Sequence, residues 1–166
     1  MATPSVATLW SIATELGLSV AALFNDADAM RPERDGVTSI GRAARPPPTQ
    51  PHQTRKRITL AGGVEWERLT SAVDDEADFV YVVYPVGSAS CPEDALIPHG
   101  GREFGYVISG RLGVTIGFEE FEVGPDNSIS FDSQTPHRVW TIGGEPVRAI
   151  WLVLNRRDDP RPESLT

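Results

Sequence analysis

From Ile58 onward the chain is cut into short runs rich in β-branched and aromatic residues, each closed by Gly, Pro, Asp or Asn. "VEWERLTS", "FVYVVYPV", "FGYVISGRLGVTIG", "FEEFEV", "SISFDS", "RVWTIG" and "VRAIWLVLN" follow one another at this spacing. Such a series predicts an antiparallel all-β sandwich or barrel, because each run is strand-sized and each break carries turn chemistry. The breaks are Ser109-Gly110, Gly117, Gly124-Pro125-Asp126-Asn127 and Gly143-Gly144.

Two regions precede and one follows this β unit. Residues 1–28 carry the only helical pattern: Thr3-Pro4 predicts a start, Val6, Leu9, Ala13 and Leu16 share one face, and Gly17 predicts the stop. Ser19 then predicts the cap of a shorter helix, Val20 to Phe24. Helices this short are marginal alone and require a partner surface. Residues 29–57, with a Pro triplet, scattered Arg and almost no apolar periodicity, read as a linker. Residues 58–155 form the barrel and 156–166 a polar tail.

The net charge of −8 argues against a surface built to wrap nucleic acid or to lie on an anionic membrane. Cys91 is the single cysteine, so no intrachain disulfide is expected, and with no signal-like leader the expected location is the cytoplasm. The apolar runs are far too short to span a bilayer. Cys91 has no His or Asp pattern beside it and reads as a bystander, not a nucleophile.

Histidine is scarce, and two of its three positions fall in the β region. "PHGGREFGYVISG" places His99 before Glu103, and "SQTPHRVWTI" places His137 at the start of a later strand. Two imidazoles and a carboxylate converging on a barrel mouth would leave three coordination positions open on a divalent ion, as in non-haem Fe(II) sites, and would suit Mn, Ni or Zn as well. A structural role is the alternative: His99 capping its Gly-rich turn, Glu103 pairing with Arg102, Arg111 or Arg138, and His137 bonded to a backbone carbonyl. His52 reads as exposed in the linker. Arg111, Arg138, Tyr106 and Trp140 are candidate pocket residues, the two Arg for an anionic ligand and the aromatics for a cavity wall. Strand alternation nevertheless sets Phe104 and Tyr106 on the face opposite Glu103, Gly105 and Val107.

"HGGREFGYVISG" (99–110) and "GPDNSISFDSQTPH" (124–137) resemble the two motifs of small cupins. The resemblance implies a double-stranded β-helix, a jelly-roll barrel, with His99, Glu103 and His137 as metal ligands. Ile97 stands where the family usually has a further His, which reduces the usual four ligands to three, and Thr141 stands where an Asn is common. "PSVATLWSIATELGLSVAALF" is similar to the last two helices of the lambda-repressor-like helix-turn-helix domain, which would make the chain a regulator of the helix-turn-helix plus cupin type with a truncated reader. The recognition helix would lie upstream of Met1, so DNA is an expected partner only if the native N-terminus is longer. The Arg and Lys of the linker read as solvated.

The expected function is therefore a cupin regulator whose barrel senses a small molecule or a metal, without chemistry of its own, and which pairs as a homodimer through a sheet face. The alternative is a mononuclear iron oxidoreductase, since hydroxypropylphosphonate epoxidase shares both the architecture and the His, Glu, distant His order. A third reading is an isomerase or sugar-modifying cupin with His137 as base.

Overall fold

The computed structural model describes residues 3–16, 18, 20–24 and 46–154. Gly17, Ser19, most of the expected linker and the expected polar tail lie outside the described residues.

Nine antiparallel strands carry the fold: β1 (Arg57–Thr59), β2 (Glu65–Arg68), β3 (Ala77–Tyr84), β4 (Arg102–Ser109), β5 (Arg111–Ile116), β6 (Glu119–Val123), β7 (Ser128–Asp132), β8 (His137–Ile142) and β9 (Val147–Leu154). They form a six-stranded sheet ordered β1-β2-β3-β9-β4-β7 and a three-stranded sheet ordered β6-β5-β8. The two sheets make the expected all-β jelly roll. Alternation is clean: along β4, Glu103, Gly105 and Val107 point inward while Phe104, Tyr106 and Ile108 point out. Leu60, Val64, Val80, Val107, Leu112, Val114, Val147, Ala149 and Val153 fill the space between the sheets.

Two glycines sit opposite two tryptophans in register, Gly105 opposite Trp151 across β4 and β9, and Gly113 opposite Trp140 across β5 and β8. In both pairs a side chain on the glycine would run into the indole ring. Gly110, which turns β4 into β5, adopts φ 77 with Pro146 and Val147 packed where a Cβ would stand, so that corner needs glycine for both conformation and space.

The helix α1 (Val6–Glu15) starts at Ser5, whose hydroxyl accepts from the Thr8 N–H at 3.0 Å. The start is thus two residues beyond Thr3, because Pro4 is used otherwise: its carbonyl accepts from Ala61 N–H at 2.8 Å and pins the chain to the barrel. Val6, Ala7, Leu9, Trp10 and Ala13 are buried, but Leu16 is 61% exposed, contrary to the expected stripe. It lies at the C-cap, where the helix has already ended. Val20–Phe24 is the expected shorter helix, in 3-10 geometry, and its first N–H donates to the buried Asp78. The required partner surface for both segments is the barrel itself.

The end of the expected linker also lies on the barrel. Arg55 and Arg57 both pair with Glu67 on β2, at 3.3 and 2.9 Å, and Arg57 opens β1. His52 is exposed, as expected, and its ring meets the Arg57 guanidinium.

Gly105→Ala is expected to destabilise the protein by about 1–3 kcal/mol, since the new methyl displaces the Trp151 ring from a packed interior. A denaturant titration of the variant against the parent measures it, and an unchanged midpoint would contradict the packing described.

Candidate metal centre

A loop and one strand from each sheet bring the triad together. His99 closes the loop before β4, held there by its own N–H donating to the Ser133 carbonyl at 2.9 Å. Glu103 is the second residue of β4 and points inward by strand parity. His137 opens β8 on the opposite sheet, where an isolated bridge to Ile97 fixes its backbone. All three are buried, at 8%, 3% and 8% exposure. Their ligand atoms, one from each residue, lie within 4.8 Å of one another.

The hydrogen bonds around the triad decide which atoms face inward. His99 Nδ1 meets the Gly100 carbonyl at 3.1 Å and His137 Nδ1 meets the Thr135 carbonyl at 2.9 Å. A carbonyl can only accept, so each Nδ1 carries a proton, and a ring in its neutral form would present the Nε2 lone pair to the centre. Glu103 Oε2 accepts from the Trp151 indole N–H at 2.5 Å, which leaves Oε1 turned to the two imidazoles. Oε1 lies 2.9 Å from both His99 Nε2 and His137 Nε2. Yet His99 Nε2 and Glu103 Oε1 are buried without a hydrogen bond of good geometry. Three acceptors meeting in a dry site need a positive charge between them, either protons on the rings or a divalent ion.

The same geometry shapes the titration of the groups. Burial pushes the Glu103 carboxyl up, but hydrogen bonds and charge from His137 and His99 outweigh it and hold the group well below the usual carboxylate range. Burial pushes His137 down, while its hydrogen bond and charge pairing with Glu103, and the Thr135 carbonyl, raise it above the ordinary imidazole value.

The triad lines a cavity of about 40 Å³ whose walls are mostly buried side chains from the barrel and from α1. Trp10 lies flat on the His99 ring, with centroids 3.9 Å apart and planes 5° from parallel, and meets Trp66 edge-on at 6.0 Å. Val6 and Ala7 complete that wall, and Tyr84 and Cys91 line the cavity farther round. Burial raises the Tyr84 hydroxyl and the Cys91 thiol, which suits walls and not nucleophiles.

Arg111, Arg138, Tyr106 and Trp140 do not line this cavity. Arg111 is exposed and pairs with Glu122 on the neighbouring strand. Arg138 and Trp140 alternate with the inward His137 and Val139, and the Arg138 guanidinium lies over the Trp140 ring, 4.9 Å from its centroid. Tyr106 points to the outer face, where its hydroxyl donates to Asp126 at 2.9 Å. For Tyr106, strand parity in the sequence already carried this outcome. None of the arginines proposed for Glu103 reaches it: Arg102 lies over Phe104 instead. The residues that sequence reasoning missed, Trp10, Trp66 and Tyr84, come from elements far apart in the chain. The one signal for Trp10 was its place on the same helical stripe as Val6 and Ala13.

Residues 80–153 match the profile of the cupin domain, and the fold is a cupin jelly roll. Within that class, a solved HTH_3 family transcriptional regulator from Vibrio cholerae is 19% identical, covering 96% of this chain and 75% of its own, with a TM-score of 0.62. An RmlC-like cupin from Shewanella frigidimarina is 14% identical over 67% of this chain and 93% of its own, at 0.56. A predicted oxalate decarboxylase from Thermotoga maritima is 19% identical over 61% and 92%, at 0.50. These likenesses establish the fold. No curated protein sequence matches the chain. The His-Glu-His cluster fits a cupin metal site, and among the described residues no helix is long and apolar enough to cross a membrane.

With a chelator present, the protein should lose stability as pH rises through the raised His137 titration, because the protonated ring that pairs with Glu103 is then lost. It should also lose stability in acid, as the depressed Glu103 is forced to protonate. Melting temperatures from about pH 2 to 9 test both arms, since the acid loss begins only below the ordinary carboxylate value of about 4, and a curve still climbing on the alkaline side would refute the pairing.

Proposed function

We propose that this chain is a cupin of the regulator type that holds one divalent ion at His99, Glu103 and His137 and senses a small molecule beside it. The observation that carries the reading is the convergence of one ligand atom from each of these three buried side chains within 4.8 Å. The second layer supports it: each imidazole is oriented by a carbonyl and the carboxylate by an indole, the arrangement by which proteins fix ligands on a metal. Fe, Mn, Ni and Zn are all compatible with two nitrogens and one oxygen. The bound ion would supply Lewis acidity, or one-electron chemistry if it is iron.

Sensing is favoured over turnover by the closure of the site. The triad lies beneath α1, and a ligand bound there touches the barrel and the N-terminal segment together. The regulator from Vibrio cholerae is similar over the same combination of segments, and DNA as a partner of this chain belongs to the proposal on that basis. Ile12, Leu16 and Leu18 are left exposed on α1 and the turn that follows, a surface that further helical elements can cover.

The second reading, a mononuclear iron oxidoreductase, is favoured by the three protein ligands, which leave room on the ion for substrate and O₂. An epoxidase acting on a phosphonate fits poorly, since no Arg or Lys lines the cavity to meet the anion.

Titration with Co²⁺ under anaerobic conditions should give one ion per chain, and Glu103→Ala should abolish it. Unaltered metal content in that variant would sink the triad. Trp151→Phe, which removes the donor to Oε2, should weaken the metal about 10–100-fold while the fold persists. The proposal includes a homodimer through the outer face of the six-stranded sheet, where Phe79, Phe104, Tyr106 and Ile108 are exposed. Light scattering at micromolar concentration should return twice the chain mass, and a monomeric mass would refute it.

A further inference from the structure

Helix α1 is built into the pocket as one of its walls. Trp10 covers one face of the His99 imidazole, Val6 and Ala7 extend the same wall, and Leu9 and Ala13 are buried alongside. Polar tethers of the N-terminal segment include the Ala7 N–H on the Ser90 carbonyl at 3.2 Å, the Ala61 N–H on the Pro4 carbonyl, and the Val20 N–H on Asp78 at 3.3 Å. The first of these uses a first-turn N–H that has no partner within its own helix.

The interior of the cavity limits what it can hold. Its volume of about 40 Å³ has room for a few water-sized centres and no more while α1 is docked. Its lining is aromatic and aliphatic apart from the triad, with the Tyr84 hydroxyl, the Trp10, Trp66 and Trp151 indoles, Ser90 and Cys91 as the residues that carry other polar groups, and no Arg or Lys. An ionised group away from the triad would be stranded without compensation.

We infer that α1 is a displaceable wall of a ligand site: the cavity takes a small uncharged molecule beside the triad, and entry requires Trp10 to lift from His99. Ligand exchange and undocking of the N-terminal helix are then one event. The inference rests on the triad being the centre of a ligand site, as proposed above, and it adds which element opens the site and what chemistry of ligand passes. It also gives the bound state a route to the N-terminal segment, since a ligand too large for the closed cavity holds the helix away.

The test uses the chain's single thiol. Cys91 is 5% exposed and lines the cavity, so its rate of reaction reports access directly and needs no metal. The uncharged reagent 4,4′-dithiodipyridine is added to the intact chain, to Trp10→Ala and to Trp10→Phe, each first shown by thermal melting to be folded. Rates are taken across pH so that altered thiol ionisation is separated from altered access. The parent should react slowly, Trp10→Ala about 10-fold faster or more, and Trp10→Phe at an intermediate rate. Should Trp10→Ala not fold, Val6→Ala, which thins the wall and keeps the indole, should still accelerate labelling. Equal rates in parent and folded variants, or a parent rate as fast as in denaturant, would overturn the gate. The anionic reagent 5,5′-dithiobis(2-nitrobenzoate) should lag behind the uncharged one in every folded form, relative to their rates in denaturant. Parity between the reagents would overturn the uncharged class of ligand. Failure of Co²⁺ to bind would refute the metal reading while leaving the labelling result to stand or fall alone.

Discussion

A carboxylate withdrawn from water is tolerated only when other groups supply what water did, and Glu103 draws that supply from several parts of the chain. The Trp151 indole on β9 donates to one oxygen, and the imidazoles of His99 and His137 face the other from a loop and from the opposite sheet. The indole can come close because residue 105 lacks a side chain. Each imidazole is in turn oriented by a backbone carbonyl beside it. The position of one buried charge therefore depends on β4, β8, β9 and two loops, so the two sheets share a polar centre as well as an apolar core.

The N-terminal segment extends this dependence beyond the barrel. Trp10 contributes a flat apolar surface to the very ring that helps compensate Glu103, and a histidine so covered is shielded from water on that side. The charge balance of the triad and the docking of α1 are coupled through a single imidazole. A change in the ligation of His99 alters the face on which Trp10 rests, and the position of Trp10 alters the solvation of His99. Such reciprocity is a property of any shared contact.

The strands were legible because each is an alternating run closed by turn residues, and β4 shows how far parity reaches: it sets Glu103 inward and Tyr106 outward before any coordinates are known. The His99, Glu103 and His137 grouping was legible through motif spacing, and the structure brings those side chains together. Other features depend on tertiary placement that local pattern does not encode. The docking of α1 over the cavity follows from Trp10, Val6 and Ala7 fitting a surface built by residues more than fifty positions later. The same holds for Arg55 and Arg57, which read as solvated charges until Glu67 is placed beside them. Trp151 was visible as a strand aromatic, but its bond to Glu103 requires knowing that β9 lies next to β4.

The paired glycines and tryptophans also bear on how the chain avoids wrong sheets. An antiparallel pair displaced by one residue turns its whole apolar set outward, and displacement by two preserves the faces and is harder to reject. With Trp151 over Gly105, a two-residue slip of β9 along β4 would drive the indole against Glu103 or Val107, and Trp140 over Gly113 faces the same obstacle on β5. Each glycine acts as a keyhole that admits the ring at one alignment. The chain thereby carries a proofreading device for strand pairing in both sheets, independent of any metal or ligand.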